Sequence, residues 1–204
     1  MNRKRLRHVL AAAAVALCTP LAAQDTQHQQ GAPQMTPEQK AEMDAYMKAA
    51  TPGPQHQALA AMAGNYDLKV RSWMAPAQPP EESAGTATRE MALGGRVMVE
   101  DVHGSMMGMP FDGHGMTGYD NVTGKYWGTW NDSMGTGLMV SEGTCDAKNA
   151  CSFTSSWNDP VKKTVVKARM TTRWTSPTVE VFEMYGPGKD GKEMKMMEIT
   201  YTKK

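Results

Sequence analysis

FDGHGMTGYDNVTGKYWGTWNDSMGTGLMVSEG, residues 111–143, reads as three consecutive β-strands parted by turn signals at Asn121 to Gly124 and at Met134-Gly135. In the middle strand Tyr126, Gly128, Trp130 and Asp132 share one face, with Lys125, Trp127, Thr129 and Asn131 on the other. Lys125 and Asn131 suit water, so the first face is assigned inward and Asp132 lies inside beside Trp130. A buried carboxylate is costly unless paired or hydrogen-bonded, so Asp132 requires a donor there. In the preceding strand Gly113 and Gly115 alternate with Asp112, His114 and Met116. Glycine at every second position bares one face, which lets the sheet curve or lets a ring, helix or ligand approach the backbone.

The period of two continues in both directions. Tyr66, Leu68, Val70, Ser72 and Met74 oppose Asn65, Asp67, Lys69, Arg71 and Trp73, while Val166, Ala168, Met170, Thr172 and Trp174 oppose Lys167, Arg169 and Arg173. About ten such runs are separated by short turns. An all-β fold follows, an antiparallel up-and-down barrel of about ten strands, because closure removes exposed edges; an open sandwich is the alternative.

Short helices precede the barrel. Thr36 offers an N-cap, Pro37 fits the first turn, and Gln39 completes a capping box, so a helix is predicted from Pro37 to about Ala50. Thr51-Pro52-Gly53-Pro54 stops it, and Gln55 to Met62 reads as a second helix. Residues 24–35 have almost nothing to bury and read as a disordered leader, giving a helical segment over 36–62 and a barrel domain over 63–204.

Residues 1–23 combine Arg3, Lys4, Arg5 and Arg7 with an apolar run from Val9 to Leu17 and the small pair Ala22-Ala23. That is the pattern of a cleavable secretory signal, and the run is about half the ~20 residues that span a bilayer. The expectation is an exported, periplasmic or secreted protein with no membrane association after cleavage. Cleavage removes four of the 22 Lys+Arg and none of the 21 Asp+Glu, leaving a net charge of −3. A mildly acidic chain without a basic stripe argues against nucleic acid as partner. It also leaves Cys145 and Cys151, which flank a short polar loop and are expected to form a hairpin-tip disulfide; free thiols or a metal pair are the other reading.

Asp132, Glu142, Glu183 and Glu198 are acids set among apolar residues, with Arg89 and Arg96 as candidate counter-charges. With Tyr119, Tyr126 and Trp130 as walls, they form the candidate lining of a small-molecule pocket. The same acids would serve an enzyme as a proton-transfer pair. The chain has no Gly-x-Ser-x-Gly elbow and no phosphate-binding loop, and the reading leans away from an enzyme. His103, Met106, Met107, Met109 and His114 are soft ligands that would suit copper, or a haem through a histidine. Against this stand 19 methionines spread along the chain, which suit a flexible core filler; the sequence itself requires no cofactor.

The segments PGPQHQALAAMAGNY (52–66), LGGR (93–96), GSMMGMPFDGHGMTGYDNVTGKYWGTWNDSMGTG (104–137), SEGT (141–144) and MEITYT (197–202) closely resemble the bacterial domain-of-unknown-function family 1579. The resemblance covers Pro52 to Lys203 and implies a lipocalin-like barrel, similar in outline to the calycin group. It carries no activity and no binding residues, and this chain is richer in Met and His between His103 and Met116 than the family pattern.

Overall fold

The computed structural model describes residues 35–188 and 190–204. The expected signal peptide and residues 24–34 of the expected leader lie outside the described residues. Two helices, α1 (Pro37–Ala50) and α2 (Pro54–Ala61), are followed by ten strands: β1 (Gly64–Ser72), β2 (Glu81–Ala92), β3 (Val97–Met106), β4 (Met109–Asp120), β5 (Lys125–Asp132), β6 (Met139–Cys145), β7 (Cys151–Asn158), β8 (Val165–Ser176), β9 (Val179–Pro187) and β10 (Glu193–Lys203). Every strand is antiparallel to its sequence neighbours, and β1 pairs with β10 to close the barrel. This is the expected up-and-down architecture.

Closure gives each strand a wet face and a face toward the lumen, and the register fixes which residues share it. Around the ring, Leu68 lies opposite Gly85, Gly85 opposite Gly104, and Gly104 opposite Phe111. The inner layer near β1 is a core of Tyr66, Leu68, Ala87, Val102 and Tyr201. A second cluster, Leu59, Met98 and Tyr126, forms where α2 packs across one end of the barrel against β2, β3 and β4.

Helix α1 begins as expected: Gln39 N–H donates to Thr36 Oγ1 at 3.2 Å, and Thr36 N–H to Gln39 Oε1 at 2.9 Å. It buries no residue. Its C-terminal carbonyls are held from the barrel, since Arg96 donates to the Ala50 oxygen at 2.9 and 3.1 Å and Asn121 Nδ2 donates to the Ala49 and Thr51 oxygens. The Cys145–Cys151 disulfide joins two directly opposed residues of β6 and β7, as the sequence suggests.

The bare face of β4 receives a ring. Trp130 lies directly opposite Gly115 and covers Gly113 and Gly115, stacked on Phe111 with centroids 6.5 Å apart and planes 18° from parallel. A methyl group at Gly113 would collide with the six-membered ring of Trp130. Gly113→Ala is therefore expected to lower stability by about 1–3 kcal/mol, the usual cost of overpacking, read as a fall in urea midpoint without a change in m-value.

Candidate functional site

The lumen is not filled. Residues from all ten strands, together with α2, line a partly open cavity of about 350 Å³. Its walls are mainly methionine and aromatic: Met98, Met170, Phe153, Trp130, Phe182 and Tyr126 are representative. Methionine recurs because an unbranched thioether packs against irregular space without enforcing one shape.

The polar part of the wall centres on Arg89, which β2 points inward because it lies two residues beyond Ala87 on the same face. Arg89 is only 5% exposed. Its Nε donates to Glu100 Oε1 of β3 at 2.7 Å, and its Nη1 donates to Glu180 Oε2 of β9 at 2.6 Å. Glu180 is 1% exposed. The guanidinium also sits over two phenol rings, 4.4 Å from the centroid of Tyr201 and 4.9 Å from that of Tyr66. Burial alone would pull its pKa down, but Glu100 and Glu180 outweigh that and hold it well above the usual arginine range. Burial pushes the Tyr201, Tyr66 and Tyr126 hydroxyls up, so all three stay protonated at neutral pH.

Besides Arg89, the structure places four of the candidates for the pocket wall inside the barrel. Tyr126 and Trp130 line the cavity. Tyr119 packs at the closed end against Tyr126, with ring centroids 4.9 Å apart, and edge-on to His56 of α2. Asp132 faces inward as assigned, and its donors are the Trp130 indole N–H at 3.0 Å and the Met134 backbone N–H at 3.0 Å.

The other acids correct the sequence reading. Glu142 lies on the outer face, 59% exposed and paired with Lys125, so it and Asp132 lie on opposite faces of the sheet and form no proton-transfer pair. Glu183 and Glu198 are also outside. Lys195 bridges them at 2.5 and 2.7 Å, Arg173 holds Glu183 at 2.6 Å, and Arg71 holds Glu198 at 3.2 Å. Arg96, expected as an interior counter-charge, instead tethers α1 at the β2–β3 turn.

The five soft ligands are not brought together. His103 and His114 project outward, each 2.7 Å from a carboxylate of the neighbouring strand, Asp112 and Asp101 respectively. Met106 lines the cavity, whereas Met107 and Met109 are exposed at the hairpin tip. Among the described residues no group of three or more His, Cys, Asp or Glu is arranged to hold a metal ion.

Sequence reasoning missed Glu100 and Glu180. Parity could have found Glu100, which shares a face with Met98 and Val102; Glu180 shares a face with Phe182 and Met184, but the other face of its strand is as apolar.

A family model described as protein of unknown function (DUF1579) matches residues 51–203. Among solved structures, the crystal structure of Rv2717c from M. tuberculosis is similar, with a TM-score of 0.59 at 13% identity, covering 76% of this chain and 99% of that one. That identity carries the fold alone. No curated protein matches the chain.

Two predictions follow from the charges. Arg89→Met leaves Glu100 and Glu180 buried without a counter-charge and should cost about 3–5 kcal/mol in urea unfolding, most of it recovered when both glutamates are also made apolar. On the outer face, burial raises the Glu183 pKa but the hydrogen bonds from Lys195 and Arg173 outweigh it, and the Lys195 bond leads the lowering at Glu198. Their folded values lie below the unfolded value of about 4.3. The stability they contribute is therefore complete above that pH and is lost as pH falls through the folded values. Melting temperature should drop on acidification below about pH 4, with a shallower drop in Glu198→Gln.

Proposed function

We propose that this chain, which belongs to the DUF1579 family of proteins of unknown function, is an exported binding protein whose barrel encloses one small, mostly apolar molecule. The observation that carries the reading is the cavity. A barrel serving only as a core would fill its lumen with side chains, as small barrels do, whereas this one retains about 350 Å³ behind apolar and aromatic walls. That volume lies at the lower end of the roughly 300–1,000 Å³ typical of small-molecule sites.

The polar groups in the wall would orient the guest, with Asp132 held by Trp130 on one side of the cavity and the Arg89 group on another. Export is supported by the leader pattern of residues 1–23 and by the Cys145–Cys151 bridge, since disulfides persist in oxidising compartments. Among the described residues no helix is long and apolar enough to cross a membrane.

The test is titration with a neutral apolar fluorophore such as N-phenyl-1-naphthylamine. Enhanced emission with saturable 1:1 binding is expected. Met139→Trp, which fills the cavity wall opposite Trp130, should weaken it by about ten-fold or more with near-UV circular dichroism retained. Unchanged affinity in that variant places the probe elsewhere and overturns the reading.

A further inference from the structure

The charges around the cavity do not balance. Its wall holds one cation, Arg89, against three carboxylates, Glu100, Asp132 and Glu180, a net formal charge of −2 when all are ionised. The acids on the outer face do not enter this count, and neither does Lys203, whose ammonium donates to the Ala61 oxygen at 3.0 Å outside the cavity. Asp132 is hydrogen-bonded by two neutral N–H groups, which satisfy its oxygens without cancelling its charge. Arg89 is committed to both glutamates through Nε and Nη1.

Uncompensated charge facing a low-dielectric space is costly, and a guest that brings the opposite charge relieves that cost. The walls favour the same sign independently. Trp130, Phe111, Tyr126 and Phe153 line the void, and aromatic ring faces attract cations. Arg89 already uses this attraction over Tyr66 and Tyr201. An anionic guest would meet the reverse: an arginine already taken up by two carboxylates, and a surplus of negative charge beyond it.

We infer that the cavity takes an apolar molecule bearing a single cationic group, an alkyl or aryl amine, with its ammonium directed at the carboxylates Glu100 and Asp132. Glu100 is the more open of the two glutamates on Arg89, with a side chain 16% exposed against 1% for Glu180. This rests on the binding reading above and names the chemical class of its ligand.

The experiment compares three probes of similar size, 4-phenylbutylamine, 4-phenylbutanol and 4-phenylbutyrate, by calorimetric titration of the full chain at neutral pH, with N-phenyl-1-naphthylamine as a reference. The amine should bind about ten-fold or more tighter than the alcohol, with the carboxylate weakest. In Glu100→Gln the amine-to-alcohol ratio should fall toward one; Asp132→Asn provides a second variant should Glu100→Gln fail to fold, and there the ratio should fall at least in part. An alcohol or carboxylate that binds as tightly as the amine overturns the charge inference while leaving the cavity reading intact. Failure of all three probes together with the reference overturns both.

Discussion

Arg89 points into the lumen, and a guanidinium does not shed its proton there. It must therefore be neutralised and hydrogen-bonded where it stands, and the barrel answers with carboxylates from two other strands: Glu100 from the neighbouring β3 and Glu180 from β9, reached across β1 and β10. Tyr66 and Tyr201, from those two intervening strands, supply ring contacts to the same guanidinium. Five strands thus converge on one charge. The group ties the β9–β10–β1–β2–β3 wall together, and the cavity occupies the space that this wall and Trp130 leave between them.

The opposite wall is organised by the removal of side chains. Gly113 and Gly115 leave room for Trp130, and Gly118 leaves room for Trp127 on the outer face. Indoles therefore cover both surfaces of one hairpin without thickening it. Methionines supply much of the remaining lining, and their soft, adaptable side chains pack around irregular space without enforcing one shape.

The strands and their closure were legible because period-two alternation is unambiguous in β1, β5 and β8, where one face is plainly polar. The site was only partly legible. In β9 both faces carry large apolar residues, Val181 and Tyr185 outside against Phe182 and Met184 inside, so composition does not say that Glu180 is in and Glu183 out; the pairing with β8 and β10 decides it. β6 is equally ambiguous around Glu142. For Glu198 the signal was present, since Met197, Ile199 and Tyr201 alternate with Glu198, Thr200 and Thr202, and proximity to apolar neighbours obscured it. The Arg89 group was illegible as a unit because Glu180 comes from a segment 91 residues beyond Arg89, and even Glu100, on the adjacent strand, is an isolated charge among ordinary strand residues. The soft-ligand cluster shows the opposite error: nearness in sequence across β3 and β4 is not nearness in space when successive side chains leave by opposite faces.

The seam between β1 and β10 sets how this chain must fold. It places Tyr66 opposite Lys203, from the first and last strands of the barrel, so this ladder incurs a large loop-closure entropy. High contact order of this kind slows folding relative to helical proteins of similar size. Until the seam closes, β1 and β10 are open edges, and the apolar lumen, already lacking a complete filling of side chains, is accessible to other chains. The hairpin cross-linked by Cys145 and Cys151 can organise locally at the middle of the strand order, but the Arg89 group cannot assemble before the ends meet. The incompletely filled lumen thus stays open to other chains until the seam closes, and on the proposed binding reading a guest that enters during closure would template folding as well as be bound.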